Sequence, residues 1–143
     1  MVREQVRKAI RADPPPNSEA SMVTWLDWLG NVEGDEVKLG LSNCLDIGAE
    51  LGLVNLSPKV ITVAGTNGKG SCCHYLEALI LDLGFKVGTY TSPHITHFNE
   101  RIRVNGGNVT SKEICSAFHT LGEISRSAAL TYFEFITIAS LNI

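Results

Sequence analysis

Val60-Ile61-Thr62-Val63-Ala64-Gly65-Thr66-Asn67-Gly68-Lys69-Gly70-Ser71 joins a β-branched, apolar run to a glycine-rich turn. The run predicts a buried strand, and the glycines after it give a tight turn and close backbone approach. A helix follows, so the backbone N–H groups around Gly68 to Ser71 point at phosphate oxygens. Lys69 neutralises the outer phosphates, and the Ser71 hydroxyl can hold Mg²⁺. A lysine at a helix N-terminus costs a few tenths to about 1 kcal/mol because it meets the positive end of the dipole. A bound anion reverses that sign. The spacing departs from G-x-x-x-x-G-K-[ST]: Thr66 and Asn67 alone separate the first two glycines, and Gly70 intervenes between Lys69 and Ser71. Ordinary kinases and GTPases therefore fit less well than another class of nucleotide-using protein.

Working outward, the loop helix is predicted from Gly68 to about Leu83, with Cys72, Tyr75, Leu76, Leu79, Ile80 and Leu83 on one face and Gly84 closing it. Lys86 to Thr91 reads as the next strand. Strand, loop, helix and strand with a right-handed crossover imply a parallel sheet. Asn105-Gly106-Gly107 supplies the φ > 0 positions of a tight hairpin between Glu100–Val104 and Asn108-Val109. Ser111 to about Ser125 is an amphipathic helix through Ile114, Cys115, Phe118, Leu121 and Ile124, with Thr110 or Ser111 as its cap.

Upstream, Val2, Val6, Ala9 and Ile10 recur at helical spacing until Pro14-Pro15-Pro16 stops the helix, so residues 1-20 read as an N-terminal extension. A helix capped by Ser18 or Ser21 carries Met22, Trp25, Leu26 and Leu29 as a stripe, with a turn at Gly34. A second helix runs from Ser42 to about Leu51, turns Cys44, Leu45, Ile47 and Leu51 to a core, and ends at Gly52.

The chain has 143 residues, 44% hydrophobic and 19% charged, with a formal charge of -3. These values set a ceiling of one domain's core and disfavour a nucleic-acid groove or a polybasic membrane patch. Small-molecule partners are expected, with no nucleic acid and no membrane. The cysteines Cys44, Cys72, Cys73 and Cys115 form no C-x-x-C pair and no zinc spacing, which predicts free thiols in a cytoplasmic protein.

Two further stretches carry chemistry. Thr91-Ser92-Pro93-His94 ends the predicted second strand, where ligands bind in open α/β sheets. Either a hydroxyl there reaches a metal, or the tetrapeptide is a proline-stopped strand with a surface histidine. From Leu130 to Ile143 nearly every residue is apolar and Glu134 is the one charge. Its carboxylate is costly to bury without a partner, and the candidates are Mg²⁺ and a salt bridge to Arg101. The run ends without a cap or polar tail, which predicts a fragment.

The loop Gly65–Ser71, the stretch Thr91-Ser92-Pro93-His94 with Asn99-Glu100-Arg101-Ile102, and Leu130-Thr131-Tyr132-Phe133-Glu134-Phe135, in that order, closely resemble the folylpolyglutamate synthase family, whose members are often also dihydrofolate synthases. That family belongs to the Mur ligase superfamily of ATP-dependent amide-forming enzymes. The resemblance covers roughly Met22 to Ile143. It implies an α/β fold, a P-loop-containing Mur-ligase-like central domain with a parallel sheet flanked by helices, incomplete here. Residues 21-143 would be the N-terminal part of that ATP-binding domain, and the C-terminal glutamate-ligase domain is absent.

The activity implied is transfer of the ATP γ-phosphate to a carboxylate of dihydropteroate or a reduced folate, followed by attack of the L-glutamate amine on the acyl phosphate. By the resemblance, Gly65, Thr66, Asn67, Gly68, Lys69, Gly70 and Ser71 bind ATP phosphates and Lys69 is catalytic. Ser71, Ser92 and Glu134 hold Mg²⁺. Pro93, His94 and Arg101 border the folate or pterin pocket. The family's further histidine ligand and modified lysine have no counterpart in this sequence. The full-length protein is expected to be a monomer, and the fragment alone inactive. Two other readings stay open: a truncated, non-catalytic nucleotide-binding product, and another Mur-type ligase acting on a cell-wall nucleotide precursor.

Overall fold

A helix start leaves N–H groups without a helical partner, and in places a side chain of this chain accepts them. Ser21 Oγ accepts from the Thr24 N–H at 3.2 Å and opens α1 (Met22–Gly30). Helix α2 (Ser42–Glu50) ends where Gly52 takes φ 73°. Further along come α3 (Lys69–Asp82), β1 (Gly88–Tyr90), β2 (Ile102–Val104), β3 (Gly107–Asn108), α4 (Ser111–Gly122) and α5 (Tyr132–Leu141). The computed structural model describes residues 13–31, 41–55, 58–124 and 129–143. The helix expected over Val2–Ile10 and the turn at Gly34 lie outside them.

The chain divides into two units, one of residues up to Asn55 plus Cys115–Ile143, the other Leu56–Ile114. In the first, Trp25, Trp28, Phe118 and Phe135 form an aromatic cluster with ring centroids 5.6 to 6.5 Å apart. Tilted and edge-on contacts of this kind favour the ring quadrupoles. Leu29, Ile47, Leu121, Leu130 and Ile136 complete a fully buried core around them. The stripe read from α1 therefore faces inward, and Trp28 joins it. In α2 the prediction holds for Ile47 and fails for Leu45, which is 60% exposed. The nine-residue helix buries only the narrow face that holds Ile47 and Gly48.

The segment before α1 is attached to this core. Trp28 Nε1 donates to the Asp13 carbonyl at 2.9 Å, and a Cβ on Gly122 would lie 3.0 Å from Pro15 Cβ. Glycine at 122 lets the proline segment approach the end of α4.

In the second unit, β1, β2 and β3 form an antiparallel sheet in that order, with Thr89 opposite Arg103 and Val104 opposite Gly107. The predicted hairpin is present, and its turn uses Asn105 at φ 49° and Gly106 at φ 84°. The parallel pairing expected of this segment is not among the described ladders. Val60–Ala64 is largely exposed and forms no ladder among the described residues. A groove lies between it and β1, edged by Lys59, Ile61 and Val63 on one side and Val87–Tyr90 on the other, with Cys73, Leu76, Glu77 and Ile80 of α3 also lining it. The apolar face predicted for α3 is also only part-covered: Tyr75, Leu79 and Leu83 are 75%, 60% and 71% exposed.

Candidate functional site

The glycine-rich turn adopts the backbone its composition predicts. Gly68 takes φ 78° and caps α3, a left-handed conformation that a side chain would strain. The first helical bond runs from the Cys72 N–H to the Gly68 carbonyl at 2.9 Å. The N–H groups of Lys69, Gly70 and Ser71 precede that ladder. All seven residues from Gly65 to Ser71 are exposed. Lys69 Nζ folds back onto its own loop, donating to the Gly65 carbonyl at 2.7 Å and the Thr66 carbonyl at 3.2 Å. The loop thus holds an ammonium beside helix N–H groups, an arrangement suited to an anion with several oxygens.

After β1 the chain passes through Thr91, Ser92 and a cis Ser92–Pro93 bond. Ser92 and Pro93 are exposed, and the Thr91 N–H is held by the Arg101 carbonyl at 2.8 Å. His94 and Arg101, read separately in the sequence, meet here. Arg101 Nε donates to His94 Nδ1 at 2.9 Å, and the guanidinium lies 5.4 Å from the centroid of the Phe98 ring. Phe98 also packs against His94, at 5.7 Å between centroids. Since the arginine donates, Nδ1 must accept, which fixes the histidine as the tautomer with its proton on Nε2.

Sequence reasoning found no role for Ile95 to Asn99, and missed Glu100. Its carboxylate accepts the N–H groups of Ile95, Thr96 and His97 at 2.7, 3.0 and 2.8 Å. These bonds, those from Ile95 and His97 foremost, hold its pKa below the usual carboxylate value. The signal was a glutamate three residues after His97, the spacing of a capping box. Asn99 Nδ2 then donates to the Val109 carbonyl at 2.6 Å, tying the loop to the chain after β3.

Glu134 belongs to the helical unit, in the first turn of α5. It is half-buried and serves a role not weighed in the sequence. Its Oε2 accepts the Thr131 N–H at 2.8 Å while Thr131 Oγ1 accepts the Glu134 N–H at 3.3 Å, a reciprocal capping box. The nearby Cys44 thiol is pushed up to about 11, first by burial and then by the Glu134 charge and hydrogen bond. Oε2 is engaged, and Oε1 adds acceptor capacity that a cation can use.

Among the described residues no group of three His, Cys, Asp or Glu side chains is placed to hold a metal. Among the described residues no helix is long and apolar enough to cross a membrane.

The chain that carries this glycine-rich turn into α3, followed by the Ser-Pro-His loop, is similar to proteins of known structure. The chain is homologous to dihydrofolate synthase/folylpolyglutamate synthases. The Escherichia coli dihydrofolate synthase/folylpolyglutamate synthase is 36% identical over 126 residues, which is 88% of this chain and 30% of the relative. The E. coli FolC structure in complex with DHPP and ADP superimposes with a TM-score of 0.81 at 38% identity, covering 89% of this chain and 31% of that one. A bifunctional folylpolyglutamate synthase/dihydrofolate synthase with Mn, AMPPNP and L-glutamate bound gives a TM-score of 0.78 at 38% identity, over 88% and 30% of the two chains. The chain thus spans about 30% of the length of the Escherichia coli relative and of a Buchnera aphidicola one. No family model matches it. The α/β, Mur-ligase-like fold class stands on these folylpolyglutamate synthase neighbours, with only a small part of the sheet inside this chain.

Proposed function

We propose that this chain is the nucleotide-binding part of an ATP-dependent ligase that joins L-glutamate to dihydropteroate, to a reduced folate, or to both. The observation that carries the reading is the loop Gly65–Ser71, with helix N–H groups, a left-handed Gly68 and Lys69 folded over it, in a chain homologous to enzymes solved with ATP analogues. The reaction brings two anions together, so it needs charge neutralisation more than proton transfer. ATP would exchange its phosphate oxygens for the loop carbonyls as partners of Lys69. The loop N–H groups and Lys69 would then take up charge as the γ-phosphate passes to the acceptor carboxylate and an acyl phosphate forms. Attack by the glutamate amine gives the amide and releases phosphate.

Ser71, Ser92 and Glu134 are the residues we assign to Mg²⁺, which when bound would neutralise the phosphate oxygens. Pro93, His94 and Arg101 are assigned to the border of the folate or pterin pocket. The contacts among His94, Arg101 and Phe98 support a preformed wall there. Ligation is proposed for the whole protein, as a monomer in the cytoplasm, since the chain spans 30% of its relatives.

Lys69→Ala tests the central assignment. It should abolish Mg-ATP binding, measured by calorimetric titration, and leave the circular dichroism unchanged. Wild-type affinity in that variant would remove the loop from the mechanism.

A further inference from the structure

Helix α3 carries the phosphate loop at its N-terminus, yet its one buried residue among those described is a carboxylate. Glu77 is 3% exposed while Tyr75, Leu79 and Leu83 point to solvent. Arg103 of β2 meets it: the Nε–H is shared between Oε2 at 2.9 Å and Oε1 at 3.2 Å. The other guanidinium nitrogens are used inside the hairpin, Nη1 donating to Asn108 Oδ1 at 3.0 Å and Nη2 to the Gly106 carbonyl at 2.5 Å. The hairpin is in turn locked to the start of β1. The Asn105 N–H donates to the Val87 carbonyl at 2.9 Å, and the Val87 N–H to Asn105 Oδ1 at 3.0 Å. His74 Nδ1 sits 3.6 Å from Glu77 on the exposed side.

We propose that the Glu77–Arg103 pair is the positioning element of the phosphate loop, holding α3 on the hairpin so that Gly68, Lys69 and Gly70 keep their aim. This rests on reading that loop as a phosphate site. Glu77 follows Lys69 by eight residues, about 12 Å along the axis at 1.5 Å per residue. A rigid helix transmits a tilt over that distance. With little apolar cover on α3, the orientation of the helix depends on the ionic contact, and a buried carboxylate left without its arginine drives the helix to rearrange.

The test uses Glu77→Gln in the full chain, read by Mg-ATP affinity and, without nucleotide, by the amide ¹H–¹⁵N positions of Gly68, Lys69 and Gly70. Affinity should fall about tenfold, and the three amides should move. Arg103→Lys keeps the charge but loses the bonds to Asn108 and Gly106, and should move them less. Adding Arg103→Gln to Glu77→Gln should cost less than Arg103→Gln costs alone, because the two residues share one contact. Ile102→Val loosens β2 without touching the pair and should leave the amides in place. Unmoved amides with wild-type affinity in Glu77→Gln would overturn the proposal, as would equal shifts in Ile102→Val. If Glu77→Gln does not fold, Arg103→Lys decides by the same amides. A wild-type chain that fails to bind Mg-ATP counts against the phosphate-site reading, while the amide positions still decide what the pair does.

Discussion

The helical unit and the loop-bearing unit use opposite means to reach a defined structure. Among the described residues, Trp25, Phe118, Phe135, Leu29, Ile47, Leu121, Leu130 and Ile136 of the helical unit are fully buried, and of the large side chains in the loop-bearing unit only Ile114 is. Apolar burial therefore dominates the first. The second relies on directed polar contacts: Glu100 under three N–H groups, Arg103 on Glu77, Asn105 across the hairpin, and Arg101 on His94. Directed contacts specify local geometry but contribute only about 0.5–1.5 kcal/mol each, or roughly 1.5–3 when a charge is involved. A site that must present backbone N–H groups and an ammonium to a ligand has to leave its surface polar and open. Its precision then comes from hydrogen bonds, while the helical unit supplies cohesion.

The largest expected effect breaks the helical side of that contrast. Phe118→Ala should cost about 3–5 kcal/mol, read as a lowered urea midpoint by tryptophan fluorescence. Both tryptophans, Trp25 and Trp28, lie in the helical unit, so the probe reports on that unit directly. A smaller effect separates two roles of Glu134. Glu134→Ala should lose about 1 kcal/mol of α5 capping in thermal unfolding, whereas Glu134→Gln keeps the capping box and should melt near wild type. If Gln also leaves the Mg²⁺ dependence of nucleotide binding unchanged, the residue is a cap and not a ligand.

The loop-bearing unit should respond to acid locally. The Glu100 pKa is lowered from 4.5 in the folded chain, so its contribution is present above that value and is lost as pH falls through the depressed one. Amide exchange at Ile95, Thr96 and His97 should accelerate there, with the Trp25 environment unaltered, and unchanged protection would deny Glu100 its organising part. The smallest effect is expected at Tyr75→Ala, within about 0.5 kcal/mol because the side chain is 75% exposed. A larger loss would mean that α3 packs more closely in solution than its exposure indicates.

Much of this was legible in the sequence because it is local. Ser21 as a cap, Gly52 and Gly84 as stops, the Asn105-Gly106 turn and the left-handed Gly68 depend on a few neighbouring residues and the sterics of φ. The heptapeptide Gly65–Ser71 carries the proposed phosphate site, since glycine, lysine and serine at those spacings present N–H groups, a charge and a hydroxyl together. The α3 stripe misled because periodicity tells which residues share a face but not whether anything in the chain covers it. Leu45 failed for the same reason. Glu134 was read as a buried charge needing Mg²⁺ or a salt bridge, and the capping box with Thr131, three residues earlier, is a further partner that reading did not weigh.

The sequence by itself determined the helices, the hairpin, the glycine-rich turn and the resemblance to folylpolyglutamate synthases, because caps, turns and loop spacing act over fewer than ten residues. Only the tertiary structure decided that His94 meets Arg101, that Glu77 meets Arg103, that Pro15 closes on Gly122, and that Val60–Ala64 stands apart from β1. Each of these joins distant residues or depends on which surfaces find a partner. Their free energies come from desolvation and packing, which no local pattern encodes.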